Sequence, residues 1–333
     1  MKRALSKIGP LLKILFGIGI VAWMAHSGKL NLAQIGKELL AWPTMLAILV
    51  LGYSQIGLTA WRWSLLLSAQ EITLPFGRVW GLTMIGMTFN VVIPGAVGGD
   101  LVKGYYVTRA ASGRKSHAAT TIVMDRVVGL IGLLLLGSVM ALVNLQDTLR
   151  SPAMRSLGAL TLGGLAAGIA VLYAAVFVGR HLARWQFLPG AMRRIFEALH
   201  EYRRRTGIIP IALAISVANQ GLTCAMYYLA LRTTGIMDIP MGQFFLIVPL
   251  GMVTNAIPIS PGGVGVGQAA FFGLFQIVAP RYTSAGVDAV TVYQVMYILI
   301  CLSGLYWYVS YKHIDPSSEK SPASIVAAVQ NRR

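Results

Sequence analysis

Charge is what this chain has least of, and acid above all. Only 12% of its 333 residues are charged, with 11 Asp and Glu against 28 Lys and Arg. A typical soluble domain carries about 25% charged residues. With 56% hydrophobic residues, there is more apolar surface than a soluble core can cover. The class is therefore an all-α polytopic integral membrane protein. Cysteine is also scarce. Cys224 and Cys301 lie in apolar runs and form neither a disulfide framework nor a zinc spacing. The five histidines fall near span ends or in loops. No His–carboxylate cluster, metal-ligand spacing or nucleophile elbow is present, so nothing points to an enzyme, a metal or a cofactor. "GVGVGQ" follows no strand and is not a dinucleotide fingerprint. A net charge of +17 suggests nucleic acid, but its distribution argues against that partner. The basic residues sit mostly in short segments between apolar runs, as the positive-inside rule expects, where they meet anionic lipid.

The apolar runs predict six full spans, at about 10–26, 43–67, 118–145, 155–178, 208–232 and 290–311. The first follows "MKRALSK" and reads as an uncleaved helix rather than a signal peptide. Lys2, Arg3 and Lys7 put the N-terminus inside. Arg114, Lys115 and the run Arg203–Arg205 mark inner loops, and Lys312 with Lys320 keeps the tail inside. The expected location is the inner (plasma) membrane with both termini cytoplasmic. The segment 193–205 has helical period and reads as a helix on the inner surface. Residues 313–333 read as a disordered tail.

Two stretches, 79–110 and 241–279, are each broken by a similar fragment: "NVVIPGAVGGD" at 90–100 and "NAIPISPGGVGVGQ" at 255–268. Their arms hold roughly 14–17 residues, or about 21–26 Å, short of a ~30 Å hydrocarbon core. Two short arms around a break suggest a re-entrant hairpin; two tilted full helices per stretch, giving eight or more spans, are the alternative. With the charge-based orientation, one hairpin enters from inside and the other from outside. Halves 1–148 and 149–312 then form an inverted repeat within a membrane domain 1–312, a transporter layout with its site near the midplane. Helix breaks at that depth are tolerable where they face protein or a wet cavity. Close helix packing is the other use of such glycines.

Ionisable residues within spans are costly and therefore informative. Arg62, Asp100, Lys103, Asp125 and Arg126 all fall there. Asn90, Asn255 and Gln268 flank the breaks, Gly98, Gly99, Gly262, Gly263 and Gly265 belong to them, and Asn219 with Gln220 lies mid-span. One reading is an anion site: the second arm of each hairpin starts near the midplane with free N–H groups, and Arg62, Lys103 and Arg126 converge on phosphate there. The other is internal pairing, Asp100 with Lys103 and Asp125 with a nearby Arg, with Arg62 reaching the inner interface. Asp100 could cap its own helix, and Asp100 with Asp125 could carry a coupling proton.

These residues carry a resemblance. Arg62-Trp63, Asn90 with "PGAVGGD" and Lys103, "MDRVVGL" at Asp125-Arg126, and "PGGVGVGQ" together resemble the flippase-like lysylphosphatidylglycerol synthase transmembrane-region family over nearly the whole membrane chain. Lys103 stands where many relatives carry Arg, and Gln268 where they carry Glu; the second difference weakens a proton or cation role there. The resemblance implies an inner-membrane protein that moves lipids between leaflets. In the multiple peptide resistance factor, a similar region is fused to an aminoacyl-transferase domain that makes lysyl lipid. No such domain is found here, so the expectation is a stand-alone member. Its substrate would be a phospholipid or another lipid-linked phosphate, polyprenyl-phosphate and glycolipids included. An intramembrane lipid-modifying enzyme and a membrane partner for a separate synthase or glycosyltransferase are the competing expectations. A homo-oligomer is open as well.

Overall fold

Helices that are apolar on every side cannot be sorted by a hydrophobic stripe, so small residues and polar rungs set how they pack. That logic runs through the computed structural model, which describes residues 19, 22, 23, 25, 26, 32–92, 98–111, 114–183, 189–236, 238–255 and 263–314. Among the described residues every regular element is helical: α1 (Leu32–Leu39), α2 (Trp42–Ala69), α3 (Phe76–Val92), α4 (Gly98–Ala110), α5 (Lys115–Val143), α6 (Pro152–Tyr173), α7 (Gly190–Glu201), α8 (Ile208–Thr233), α9 (Met241–Asn255), α10 (Val266–Val278), α11 (Thr283–Leu302) and α12 (Gly304–Ile314). Short helical turns join several of these, and α6 continues through a wide π turn, Ala174–Val178.

Among the described residues, five helical segments are long and apolar enough to cross a membrane: Trp42–Ala69, Lys115–Val143, Pro152–His181, Ile208–Thr233 and Pro280–Ser310. They match five of the six expected spans; the sixth, 10–26, lies almost wholly outside the described residues. The last segment starts about ten residues earlier than expected. Asp288 makes its start look polar in sequence, but it is buried inside the bundle. The tail beyond Ile314 and both Pro-Gly breaks, including Gly262, also lie outside the described residues.

Side-chain partners give the direction of each helix. Gln55 pairs with Thr223, Thr59 with Asn219 and Arg62 with Ser216. This descending series makes α2 and α8 antiparallel. Arg62 to Asp125 and Trp63 to Thr121 set α2 against α5 in the same sense. The C-terminal end of α2 therefore lies beside Arg114 and Arg203–Arg205, at an arginine-rich end of the bundle. There Gln70 Nε2 donates to Ala198 O and the Tyr202 hydroxyl to Leu66 O. Burial raises the Tyr202 pKa well above the ordinary tyrosine value, keeping it a donor. These contacts turn part of the apolar face of α7 into the bundle: Leu199 and Tyr202 are buried, while Met192 at its start is exposed.

The short arms follow the same bookkeeping. Lys103 lies opposite Asp125 and Asp100 opposite Arg126, so α4 runs antiparallel to α5 and begins level with its middle. Its partner α3 packs close, with Gly86 against Gly99. In the second pair, Gly242 sits beside Asn144 and Pro249 beside Gly137, so α9 starts at the opposite end of α5. Gln268 of α10 meets Gln294, and Phe275 meets Gly286. The α3–α4 pair thus opens toward the arginine-rich end and the α9–α10 pair toward the other. The inner ends of both lie near mid-bundle.

Candidate functional site

Between the inner ends of the two pairs lies a cavity of about 540 Å³, bordered by residues of α2, α3, α4, α5, α8, α9 and α11. All five ionisable residues singled out in the sequence line it: Arg62, Asp100, Lys103, Asp125 and Arg126, together with Asn90. α2 delivers Arg62, whose Nε donates to Asp125 Oδ1 at 2.8 Å and whose Nη1 donates to Ser216 Oγ at 2.8 Å. α4 delivers Lys103, with Nζ 3.7 Å from Asp125 Oδ2 and 3.6 Å from the centroid of the Trp63 ring. Trp63 is itself held by its indole N–H to Thr121 Oγ1, 3.0 Å away. A desolvated ammonium over an indole face is a favourable cation–π pair. Arg62, Lys103 and Asp125 are all buried. One carboxylate thus serves two buried cations, a triad in which loss of the acid would leave two charges uncompensated.

Arg126 stands apart. It is adjacent to Asp125 in sequence and points away from it, as neighbouring helical residues must. Its Nε donates to Asp100 Oδ2 at 2.7 Å, and its side chain is about half exposed. The expected pair of Asp100 with Lys103 is therefore corrected: Lys103 turns to Asp125, and Arg126 takes Asp100. Snorkelling does not describe Arg62, which is bound inward. Among the described residues, three cations face two carboxylates there, leaving one positive charge in excess.

The expected free N–H groups at the second arms are partly occupied from within. Asn90 Oδ1 accepts from Gly99 N at 2.9 Å. In the second pair, Gln268 Oε1 accepts from Gly265 N at 2.7 Å, and its Nε2 donates to Gln294 Oε1 at 2.6 Å. Gln268 is buried in that amide network and does not border the cavity. One N–H at each of these helix starts is thus satisfied from within, and the charged groups that line the cavity are side chains of α2, α4 and α5.

The glycines also separate by role. Gly98 and Gly99 are buried, and a Cβ on Gly99 would overlap the Gly86 carbonyl and the Asn90 side chain; Gly99 serves the close approach of α3 and α4. Gly263 and Gly265 have φ of 75° and 81°, a left-handed backbone that favours glycine. The side chain of Asn255 and the whole of Gly262 lie outside the described residues.

Sequence reasoning did not bring Gln55, Thr59, Thr83 and Tyr297 to this cavity, and it noted Asn219 and Gln220 only as mid-span polar groups. All six line it. The available signal was polar residues about one turn apart in otherwise apolar helices: Gln55, Thr59 and Arg62 on α2; Ser216, Asn219 and Thr223 on α8. Among the described residues no group of three or more His, Cys, Asp or Glu could hold a metal ion.

The family model described as "Lysylphosphatidylglycerol synthase TM region" matches residues 11–304. A search of the curated proteins finds no match.

Proposed function

Because the chain belongs to the lysylphosphatidylglycerol synthase TM region family, we propose that it is a flippase-like translocase, moving a phosphate-bearing lipid between the leaflets of the plasma (inner) membrane. The observation that carries this reading is the position of the charged cavity. It holds an excess cation at mid-bundle between two helix pairs that open toward opposite ends. The pairs act as opposed re-entrant hairpins of an inverted repeat, with the arginine-rich end cytoplasmic. Arg126, which still presents an exposed edge, is the first contact for the phosphate, with Arg62 and Lys103 behind it. A cavity of about 540 Å³ takes a head group, while the tails stay in the bilayer.

The site is one of binding rather than catalysis. An intramembrane enzyme needs a free acid–base pair, and both carboxylates in the cavity already engage a guanidinium at 2.7–2.8 Å. The test is reconstitution into liposomes with head-group-labelled anionic lipid, following loss of label from the inner leaflet. Wild type is expected to exchange the lipid, and Arg126→Gln to slow exchange at least tenfold. Liposomes that exchange no candidate lipid would remove this reading.

A further inference from the structure

Beside the charged cluster the cavity has a second wall that the phosphate does not use, built from α2 and α8. Its rungs are uncharged. Gln55 Nε2 donates to Thr223 Oγ1, and the Thr59 hydroxyl lies 3.4 Å from Asn219 Oδ1. The rungs continue the line of the Arg62–Ser216 bond toward the end of the bundle away from the arginines. Between them stands Gln220. It is 9% exposed, borders the cavity, and its Oε1 is buried with no hydrogen-bond partner. A buried acceptor left unpaired is costly unless a ligand or water supplies a donor.

We propose that this wall is a head-group subsite for an uncharged, hydroxyl-bearing moiety, and that the substrate is a monoanionic phosphodiester lipid carrying glycerol or a sugar rather than an amine. This inference rests on the phosphate-site reading above. Two features select the class. A hydroxyl donates to Gln220 Oε1 and accepts from neighbouring amides, whereas a methyl leaves both unsatisfied. An ammonium also donates, but both cavity carboxylates are already paired with cations. An amine-bearing zwitterion therefore leaves the excess positive charge uncompensated, while a phosphodiester with a neutral head group cancels it.

The experiment measures binding of short-chain lipids to the purified protein in detergent. The probes are dioctanoyl phosphatidylglycerol, phosphatidylglucose, phosphatidylmethanol and phosphatidylethanolamine. The glycerol or glucose lipid is expected to bind about tenfold tighter than phosphatidylmethanol, which has the same charge and no hydroxyl. Comparison of those two decides between glycerol and sugar. Both should exceed phosphatidylethanolamine by more. Gln220→Met should reduce the hydroxyl preference to twofold or less. The isosteric Gln220→Glu, which adds a carboxylate, should narrow the gap to phosphatidylethanolamine at least tenfold. Equal binding of phosphatidylmethanol and phosphatidylglycerol to wild type, or a preference that survives Gln220→Met, overturns the subsite while leaving the phosphate site standing. Failure of every anionic lipid to bind overturns both.

Discussion

Asp125 and Arg126 are neighbours in the chain with opposite consequences when removed. Asp125 is buried between Arg62 and Lys103, and Asp125→Asn strands two cations. A loss of about 3–5 kcal/mol is expected, visible as a large fall in melting temperature in detergent. Arg126 is half exposed, so its pair with Asp100 is worth little. Arg126→Gln should change stability by under about 1 kcal/mol while still slowing lipid exchange at least tenfold. Equal destabilisation by the two variants would mean that both pairs are structural. At this scale the sequence was legible in kind but not in partner. The five ionisable residues stood out because charge inside an apolar span is costly. Which acid meets which base depended on antiparallel packing of α2, α4 and α5, which no local spacing encodes. Gln55, Thr59, Asn219 and Gln220 were harder still. An amide in a membrane helix is cheap enough to occur for packing alone, and the partners are 160 or more positions away.

The α3–α4 pair depends on backbone approach at Gly86 and Gly99, reinforced by the Asn90 cap on Gly99 N–H. Gly99→Ala would force these helices apart, with an expected cost of about 1–3 kcal/mol. Asn90→Ala should cost about 1 kcal/mol through the lost cap. Melting in detergent checks both, and the two losses should be less than additive because the groups touch. Five of the six expected spans correspond to described helices, because an uninterrupted apolar run of span length has few alternatives. The start of α11 was misplaced, since Asp288 is buried inside the protein instead of facing lipid. The Asn90 and Gln268 caps were missed as caps; a side chain flanking a helix break looks the same in sequence whether it faces a ligand or its own backbone.

For the whole molecule, the two pairs matter because they open toward opposite ends, while the charge between them comes from α2, α4 and α5. The expectation of opposed hairpins came from two sequence signals together, the duplicated Pro-Gly fragments and the asymmetry of Arg and Lys. The polar track from Arg62 toward Gln55 was not legible, since it exists only once α8 lies beside α2. Both native cysteines are buried, so Cys224→Ala with Cys301→Ala gives a background for labelling. Thr59→Cys in that background places a thiol on the cavity wall. The decisive measurement is its reaction with a membrane-impermeant maleimide in right-side-out and in inside-out vesicles. Alternating access requires labelling from both faces, slowed by added phosphatidylglycerol. Labelling from one face alone, or from neither, would contradict a pocket that serves each leaflet in turn.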